Sequence, residues 1–363
     1  MAVPLFRSNL ERHRDALIDR ISAVVRSGRY VLGPEVEAFE RELAAYLGVS
    51  HVIGVANGTD ALTIALRAVG VEPGDEVVVP SFTFYATPEA VVAAGATPVF
   101  CDIDPATFCV TRETVERAVT DRTRAVVPVH LFGNVAPIDE LRDLGVPIVE
   151  DAAQAIGAAL RGRRAGALGH AGTFSFFPSK NLPCLGDGGA VATDDDDIAE
   201  RVRRLRFHGS DDKETFFDAG YNSRLDEIQA AALRVLLPEL DGWNEARRRA
   251  AALYQEGGLG EVLELPQAVE GAQPVYHLFV GRHRDADRLA AALRDKGIGA
   301  RGTYRTPCHR QPGMASYGGH ALDLPGTDEA ASTNIALPMG TELSNDDVKE
   351  VVDAARTAAS SLD

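Results

Sequence analysis

Between His51 and Val149 the chain alternates short apolar runs with stretches of helical spacing. The apolar runs fall near residues 51–55, 76–79, 97–101, 124–129 and 146–149. The stretches between them, at about 59–69, 83–94, 111–119 and 137–143, repeat apolar residues at helical intervals. Such alternation predicts βαβ units and a mostly parallel, buried sheet. Upstream, residues 9–27 show helical spacing through Leu10, Leu17, Ile21 and Val24 or Val25. Gly33-Pro34 then punctuates before a second helix carrying Val36, Phe39, Leu43 and Leu47. Residues 223–256 predict a long helix with Leu225, Ile228, Leu233 and Leu236 on its apolar face. Pro238 should kink it, because proline lacks the N–H and clashes with the preceding turn. Beyond it come strand-like Val262–Leu265 and Val275–Val280, a helix at 286–297 and a short run at 298–304. A loop rich in Gly and Pro follows, then a final helix from Asn345. The pattern gives an α/β chain without internal repeats. A large domain, 1–240, carries a mostly parallel mixed sheet flanked by helices, and 241–363 form a smaller C-terminal α+β domain.

Composition narrows the class without naming a function. The 363 residues are 45% hydrophobic and 25% charged, as in ordinary soluble enzymes. A net charge of −16 argues against a nucleic-acid or anionic-membrane surface. Basic clusters at Arg201–Arg206 and Arg247–Arg249 read as solvated helix faces. Asp194–Asp197 opens a helix, where acids favour the dipole, rather than marking a metal site. Cys101, Cys109, Cys184 and Cys308 lack CxxC spacing, so neither a zinc site nor a disulfide framework is indicated. The first residues lack the apolar stretch of a signal peptide, and no apolar run approaches the roughly 20 residues that span a bilayer. A cytoplasmic setting is expected.

Chemistry concentrates where apolar runs end, the place where ligands collect in parallel sheets. The run Thr173-Phe-Ser-Phe-Phe-Pro-Ser-Lys-Asn-Leu182 ends in a polar turn tipped by Lys180, and Gly186-Asp-Gly-Gly-Ala-Val191 follows. The chain has only four lysines, and Lys213, Lys296 and Lys349 sit beside acidic residues, as solvated lysines do. A surface loop lysine is the plainer alternative for Lys180. The run Val146-Pro-Ile-Val149 ends in Glu150-Asp151-Ala-Ala-Gln154. Asp151 lies just past a buried strand, where a negative charge needs a partner; a helix N-cap is the alternative. Strand alternation should turn Glu150 to the other face. The run His51–Val55 ends in Ala56-Asn-Gly-Thr-Asp-Ala-Leu62, a tight turn entering a helix, whose N–H groups suit phosphate oxygens. A bare helix cap would look the same, and G-x-G-x-x-G is absent there. Ser175 could add a hydroxyl donor. One of Phe82, Phe84 and Tyr85 could stack on a flat ring, though each taken singly reads as core. Lysine, carboxylate, phosphate turn and aromatic face are the four things pyridoxal phosphate needs from a protein.

Taken together, these motifs resemble the DegT/DnrJ/EryC1/StrS family of sugar aminotransferases that use pyridoxal phosphate, with the aspartate aminotransferase fold (fold type I). Gly28-Arg-Tyr-Val-Leu-Gly-Pro-Glu35 with Phe39-Glu40 resembles the family's N-terminal block. Gly220-Tyr-Asn-Ser-Arg-Leu-Asp-Glu-Ile-Gln229, Tyr304–His309 and Leu337-Pro338 extend the likeness towards the C-terminus. The resemblance implies that Lys180 forms the Schiff base, that Asp151 pairs with the pyridine nitrogen and that Gln154 reaches the cofactor's phenolic oxygen. Gly58, Thr59 and Ser175 would contact the phosphate, and Phe84 would stack on the ring. Asn222 would reach the phosphate of the neighbouring subunit's cofactor in a homodimer with shared sites. Tyr304 and His309 would lie near the nucleotide sugar. The Pro183-Cys184 pair after the lysine departs from the small residues usual there.

The resemblance further implies transfer of an amino group from L-glutamate to a nucleotide-linked ketosugar, with a dTDP-4-keto-6-deoxyhexose favoured by family frequency. Related sugar 3-dehydratases have histidine where this chain has Lys180, which favours transamination. Two other readings stay open: a dehydratase on the same scaffold, and a regulatory protein that binds the cofactor without turnover.

Overall fold

The computed structural model describes residues 2–7 and 10–362. Strands β1 (His51–Val55), β2 (Glu76–Pro80), β3 (Thr97–Cys101), β4 (Thr123–Val126) and β5 (Val149–Asp151) come first in the chain. A hairpin of β6 (Ala159–Leu160) and β7 (Arg163–Arg164) precedes β8 (Ala171–Ser175) and β9 (Gly189–Thr193). β1, β9, β8 and β5 form one ladder and β3, β2 and β4 another. Parallel bridges Val126–Ile148 and Val129–Asp151 join the ladders into one sheet. Only β9 runs against its neighbours there; the pairings among β5, β8, β2, β3 and β4 are parallel. The expected mixed, mostly parallel sheet of fold type I is therefore present.

Helices cover both faces. α3 (Gly58–Ala68), α4 (Ala86–Ala93) and α7 (Asp196–Arg206) pack Leu66, Val91 and Val202 against Ile53, Val77 and Val79. Val78 and Val126 point the opposite way, as the two-residue period of a strand requires, and meet α5 (Arg112–Glu116) and α6 (Ile138–Leu141). Near β1 that face is covered by α1 (Arg14–Ser27), α2 (Pro34–Leu47) and α8 (Glu227–Leu236). Asp195 caps α7 by accepting from the N–H groups of Asp197 and Ile198, so the acidic run opens a helix. The first predicted helix begins as a single 3-10 turn at Leu10; its expected start at residue 9 lies outside the described residues.

Several boundaries differ from the sequence pattern. The stretch 223–256 is broken: residues 223–226 are not helical, a 3-10 turn holding Pro238 ends α8, and α9 (Leu240–Glu256) then begins. Leu225 leaves the helix because it packs over β1, where a Cβ on Gly54 would lie 2.9 Å from Leu225 Cβ. Val262–Leu265 forms no strand; only Glu264 bridges to Arg282. The run 275–280 becomes β11 (Phe279–Arg282) only at Phe279. Before that, the Val275 N–H is taken by the Gly133 carbonyl of the large sheet's loop, at 2.9 Å. The run 298–304 is likewise no strand, with bridges from Ile298 to Val3 and from Arg301 to Ala336.

The C-terminal unit pairs β11 with β12 (Asn334–Leu337), while β10 (Ala272–Gln273) reaches back to β6. α10 (Ala286–Asp295), α11 (Pro325–Thr333) and α12 (Asn345–Ala359) complete the chain. α9 bridges two cores: Leu240 packs with α2 and α8, whereas Ala250, Ala251 and Tyr254 pack with α12 and β11. Val3 belongs to that second core. Among the described residues no helix is long and apolar enough to cross a membrane.

Candidate active site

The carboxyl ends of β1, β2, β5 and β8 open on one cavity of about 680 Å³, within the range of small-molecule sites. Gly58, Thr59, Phe84, Asp151, Gln154, Ser175, Lys180 and Tyr304 all line it. Turns that are far apart in sequence are thus brought to one place by the parallel sheet.

Lys180 sits in the turn after β8, its backbone N–H bonded to the Phe177 carbonyl at 2.8 Å. Burial pulls its pKa below the ordinary lysine value, and the nearby Asp151 charge opposes that shift. The amine is therefore easier to deprotonate than a surface lysine's. Asp151 ends β5 and is only 6% exposed. Thr87 of α4 donates its hydroxyl to Asp151 Oδ2 at 2.8 Å, and the Ala153 N–H donates to Oδ1 at 3.2 Å. Lys180 shares its cavity and their charges interact, so a cation facing Asp151 offsets part of the cost of its burial. Glu150 faces the other way, as alternation predicts. It accepts from the N–H groups of Gly166, Leu168 and Gly169 and from His130 Nε2 at 2.7 Å. His130 Nδ1 accepts from the Ala136 N–H, so its proton is on Nε2.

Asn57 caps α3 by accepting from the Asp60 N–H at 2.8 Å. The preceding N–H groups, of Gly58 and Thr59, have no acceptor within the helix and lie at the cavity wall. Ser175 closes against them: a Cβ on Gly58 would come within 2.7 Å of Ser175 Cβ. Only glycine leaves that approach open. The result is an anion cradle with a hydroxyl beside it.

At the other end, Gln154 Oε1 accepts from the Phe132 N–H at 2.8 Å, and its Nε2 donates to the Tyr304 hydroxyl at 3.2 Å. The amide is thereby oriented, leaving a second Nε2 hydrogen and the Tyr304 proton for a ligand. Burial pushes the Tyr304 phenol up to about 12, so it remains a donor at neutral pH. Tyr304 stacks parallel to Phe132, and both hold left-handed backbone angles, φ 49° and 57°. Phe82 is core, whereas Phe84 is 57% exposed and lines the cavity. A bare aromatic face there suits a flat ring.

Asn222 and His309 lie outside this cavity lining. Asn222 is exposed, bridges to Phe207 by its backbone and accepts from Arg224. His309 is fully buried behind the wall, with Nδ1 against the Ser81 hydroxyl and Nε2 without a partner. Sequence reasoning missed Thr87, His277 and Arg301. Thr87 carries no signal, being one threonine on a short helix. His277 did leave one, a polar residue interrupting the apolar run Val275–Val280.

The donor set fits pyridoxal phosphate. Lys180 could take the aldehyde, Asp151 the ring nitrogen, the α3 cradle with Ser175 the phosphate, and Phe84 a ring face.

Comparison with known proteins agrees. Residues 11–356 match the model of the DegT/DnrJ/EryC1/StrS aminotransferase family. A Streptomyces venezuelae relative, dTDP-3-amino-3,4,6-trideoxy-alpha-D-glucose transaminase, is 46% identical over 98% of this chain and 94% of its own. A pleiotropic regulatory protein of Geobacillus stearothermophilus is 43% identical over 97% of each chain. The crystal structure of S. venezuelae DesV in complex with a ketimine intermediate superposes with a TM-score of 0.94, at 45% identity and 98% coverage of both chains. Fold, site and full-length similarity coincide: the chain belongs to the DegT/DnrJ/EryC1/StrS aminotransferase family.

Proposed function

We propose that this chain moves an amino group from L-glutamate to a dTDP-linked 3-keto-6-deoxyhexose, working as a cytoplasmic homodimer. The coarser statement is plain from the family: it is an aminotransferase that uses pyridoxal phosphate and acts on nucleotide-linked ketosugars. The observation that carries the reading is the meeting of Lys180, lowered in pKa by burial, with Asp151 and the open N-terminus of α3 in one cavity.

When bound, pyridoxal phosphate supplies a carbon that carries the amino group and a protonated ring that accepts electron density. Lys180 would hold that carbon at rest. Once displaced, its amine would take the proton from the donor's Cα and deliver it to the carbon that Lys180 had held, a general acid/base role suited to a lysine of lowered pKa. Asp151, fixed by Thr87 and the Ala153 N–H, keeps the ring nitrogen protonated. Gly58, Thr59 and Ser175 hold the phosphate, and Gln154 and Tyr304 offer hydrogen bonds across the ring. Arg301 lines the cavity and is exposed, which suits the diphosphate of a nucleotide sugar. In this reading residues 1–240 form the cofactor-binding domain and 241–363 the smaller one. Asn222, exposed and outside the lining of its own cavity, serves the other protomer. His309 acts at most from behind the wall.

Sequence reading favoured a 4-keto sugar by family frequency. We place the new amine at carbon 3 because the Streptomyces relative's name puts it there. The regulatory name of the Geobacillus relative supports the alternative of a sensor, but a complete lysine, carboxylate and phosphate set favours turnover. Borohydride treatment of the loaded protein, followed by peptide mapping, should find the cofactor on Lys180; label on another lysine overturns the site. The amine form made with glutamate is then offered dTDP-, UDP- and GDP-linked 3- and 4-ketosugars, and products are weighed by mass spectrometry. The dTDP 3-ketosugar should react fastest. Reaction confined to 4-ketosugars refutes the position, and no half-reaction with any amino acid supports the sensor.

A further inference from the structure

A polar chain beside Lys180 takes no part in that reading. Asn244 Nδ2 donates to the Ile156 carbonyl at 3.0 Å, so its Oδ1 is the accepting end. Asn181 Nδ2 donates to that Oδ1 at 2.9 Å and to the Val275 carbonyl at 3.2 Å. Two backbone carbonyls thus fix the direction of both amides. What remains is Asn181 Oδ1, an acceptor, 3.2 Å from His277 Nδ1. Nδ1 must therefore carry the ring proton, which leaves Nε2 with a bare lone pair.

His277 lines the same cavity as Lys180. Burial, with the positive charges of Lys180 and Arg247, holds its pKa well below the usual histidine range, so it stays neutral. Arg247 is itself buried and donates to the carbonyls of Tyr276 and His277, with Nε unpartnered among the described residues. The backbone here is held at some cost. Tyr276 has φ 45°, an unfavourable region for an aromatic residue. A Cβ on Gly133 would lie 2.7 Å from the backbone nitrogen of His277.

We propose that His277 is a positioning residue for Lys180: its bare Nε2 accepts a hydrogen bond from the Lys180 amine and turns that amine towards the cavity. The proposal rests on Lys180 being the reacting amine. The other ionisable groups around the pair are Asp151 from β5, Asp187 from the turn before β9, Arg247 from α9, and Arg301 and Tyr304 from the segment between α10 and α11. Of these only Tyr304 is a neutral acceptor, and its hydroxyl already accepts from Gln154 Nε2 at 3.2 Å.

Two variants separate this role from a structural one. His277→Asn keeps a donor at the Nδ1 position, and so the bond to Asn181, but removes the acceptor. His277→Gln keeps an oxygen near the Nε2 position and gives up the bond to Asn181. The readout is acetylation of Lys180 against pH in the full-length protein stripped of cofactor, resolved by peptide mass spectrometry, with Lys213, Lys296 and Lys349 as internal references. An acceptor favours the ammonium form, so His277→Asn should lower the Lys180 midpoint by about one pH unit, while His277→Gln stays close to wild type. In the loaded enzyme His277→Asn should lower kcat about tenfold with little change in the donor's KM. Should that variant not fold, Asn181→Ala unlocks the tautomer and should move the midpoint the same way by less. The reverse order, or midpoints unchanged throughout, overturns the proposal. A Lys180→Ala protein that retains turnover would instead refute the reacting amine, leaving the labelling result as it stands.

Discussion

Lys180 is a cation that folding places where charge is disfavoured, and this has a measurable consequence. Its folded pKa lies below the ordinary 10.5. Between the two values the unfolded chain binds more protons than the folded one, so stability rises with pH across that window. Below the window the buried ammonium exerts its full penalty; above 10.5 both states are neutral and the penalty is gone. In the cofactor-free protein, Lys180→Met should therefore be more stable than wild type at neutral pH. The advantage should fade as pH approaches 10.5, as read by urea unfolding at stepped pH. A difference independent of pH would show that Lys180 titrates as a free lysine. Asp151 and Tyr304 carry the same lesson: Thr87, which bonds Asp151, is 64 residues from it, and Gln154, which bonds Tyr304, is 150 residues from it.

At the scale of elements, the least local feature is the cap on α2. Gly33-Pro34 announces a helix start, and Pro34 suits the first turn because its missing N–H has no partner to lose. The cap itself comes from α8. Glu227, 1% exposed, accepts from the N–H groups of Gly33, Glu35 and Val36 at 2.9, 3.0 and 2.8 Å. Glycine at 33 is required by that contact, since a Cβ there would come within 2.8 Å of Glu227 Oε2. Glu227→Ala strands three donors at once and should destabilise the protein by about 3 kcal/mol or more. Glu227→Gln, which keeps one accepting oxygen, should cost less. Urea midpoints for the two variants would check the order; equal and small losses would mean that water replaces the carboxylate.

At the scale of the molecule, α1 and the segment after it present Ile18, Val25, Tyr30 and Val31, each about half exposed. The Val31–Asp226 bridge ties this apolar face to the segment that carries Asn222. A second copy seated there would give Asn222 the reach the proposed homodimer needs. The test is a mixed dimer of differently tagged chains, one carrying Lys180→Ala and the other Asn222→Ala. If sites are shared, the surviving Lys180 meets the surviving Asn222 across the interface and activity returns to about half of wild type, as independent sites add. Placing both changes on one chain and pairing it with wild type should then leave little activity. The opposite pattern, no rescue in the first pair and half activity in the second, shows that each site uses its own asparagine.

Much of this was legible in the chain. Runs such as Val77–Val79 are apolar at every position because both sheet faces are covered, so strand order in sequence and the α/β class could be read without coordinates. Lys180, Asp151 and the Asn57–Thr59 turn stood out because each ends such a run. The sequence could not tell that residues 275–278 leave their apolar neighbours to bond the 131–133 loop, which is what carries His277 to the cavity. Nor could it tell that His309, in the same Tyr304–His309 block, would be sealed behind Ser81. Periodicity is a property of neighbours along the chain and determines elements and their faces. The tautomer of His277, the direction of Gln154 and the cap on α2 depend on groups dozens of residues away, so only the packed structure decides them.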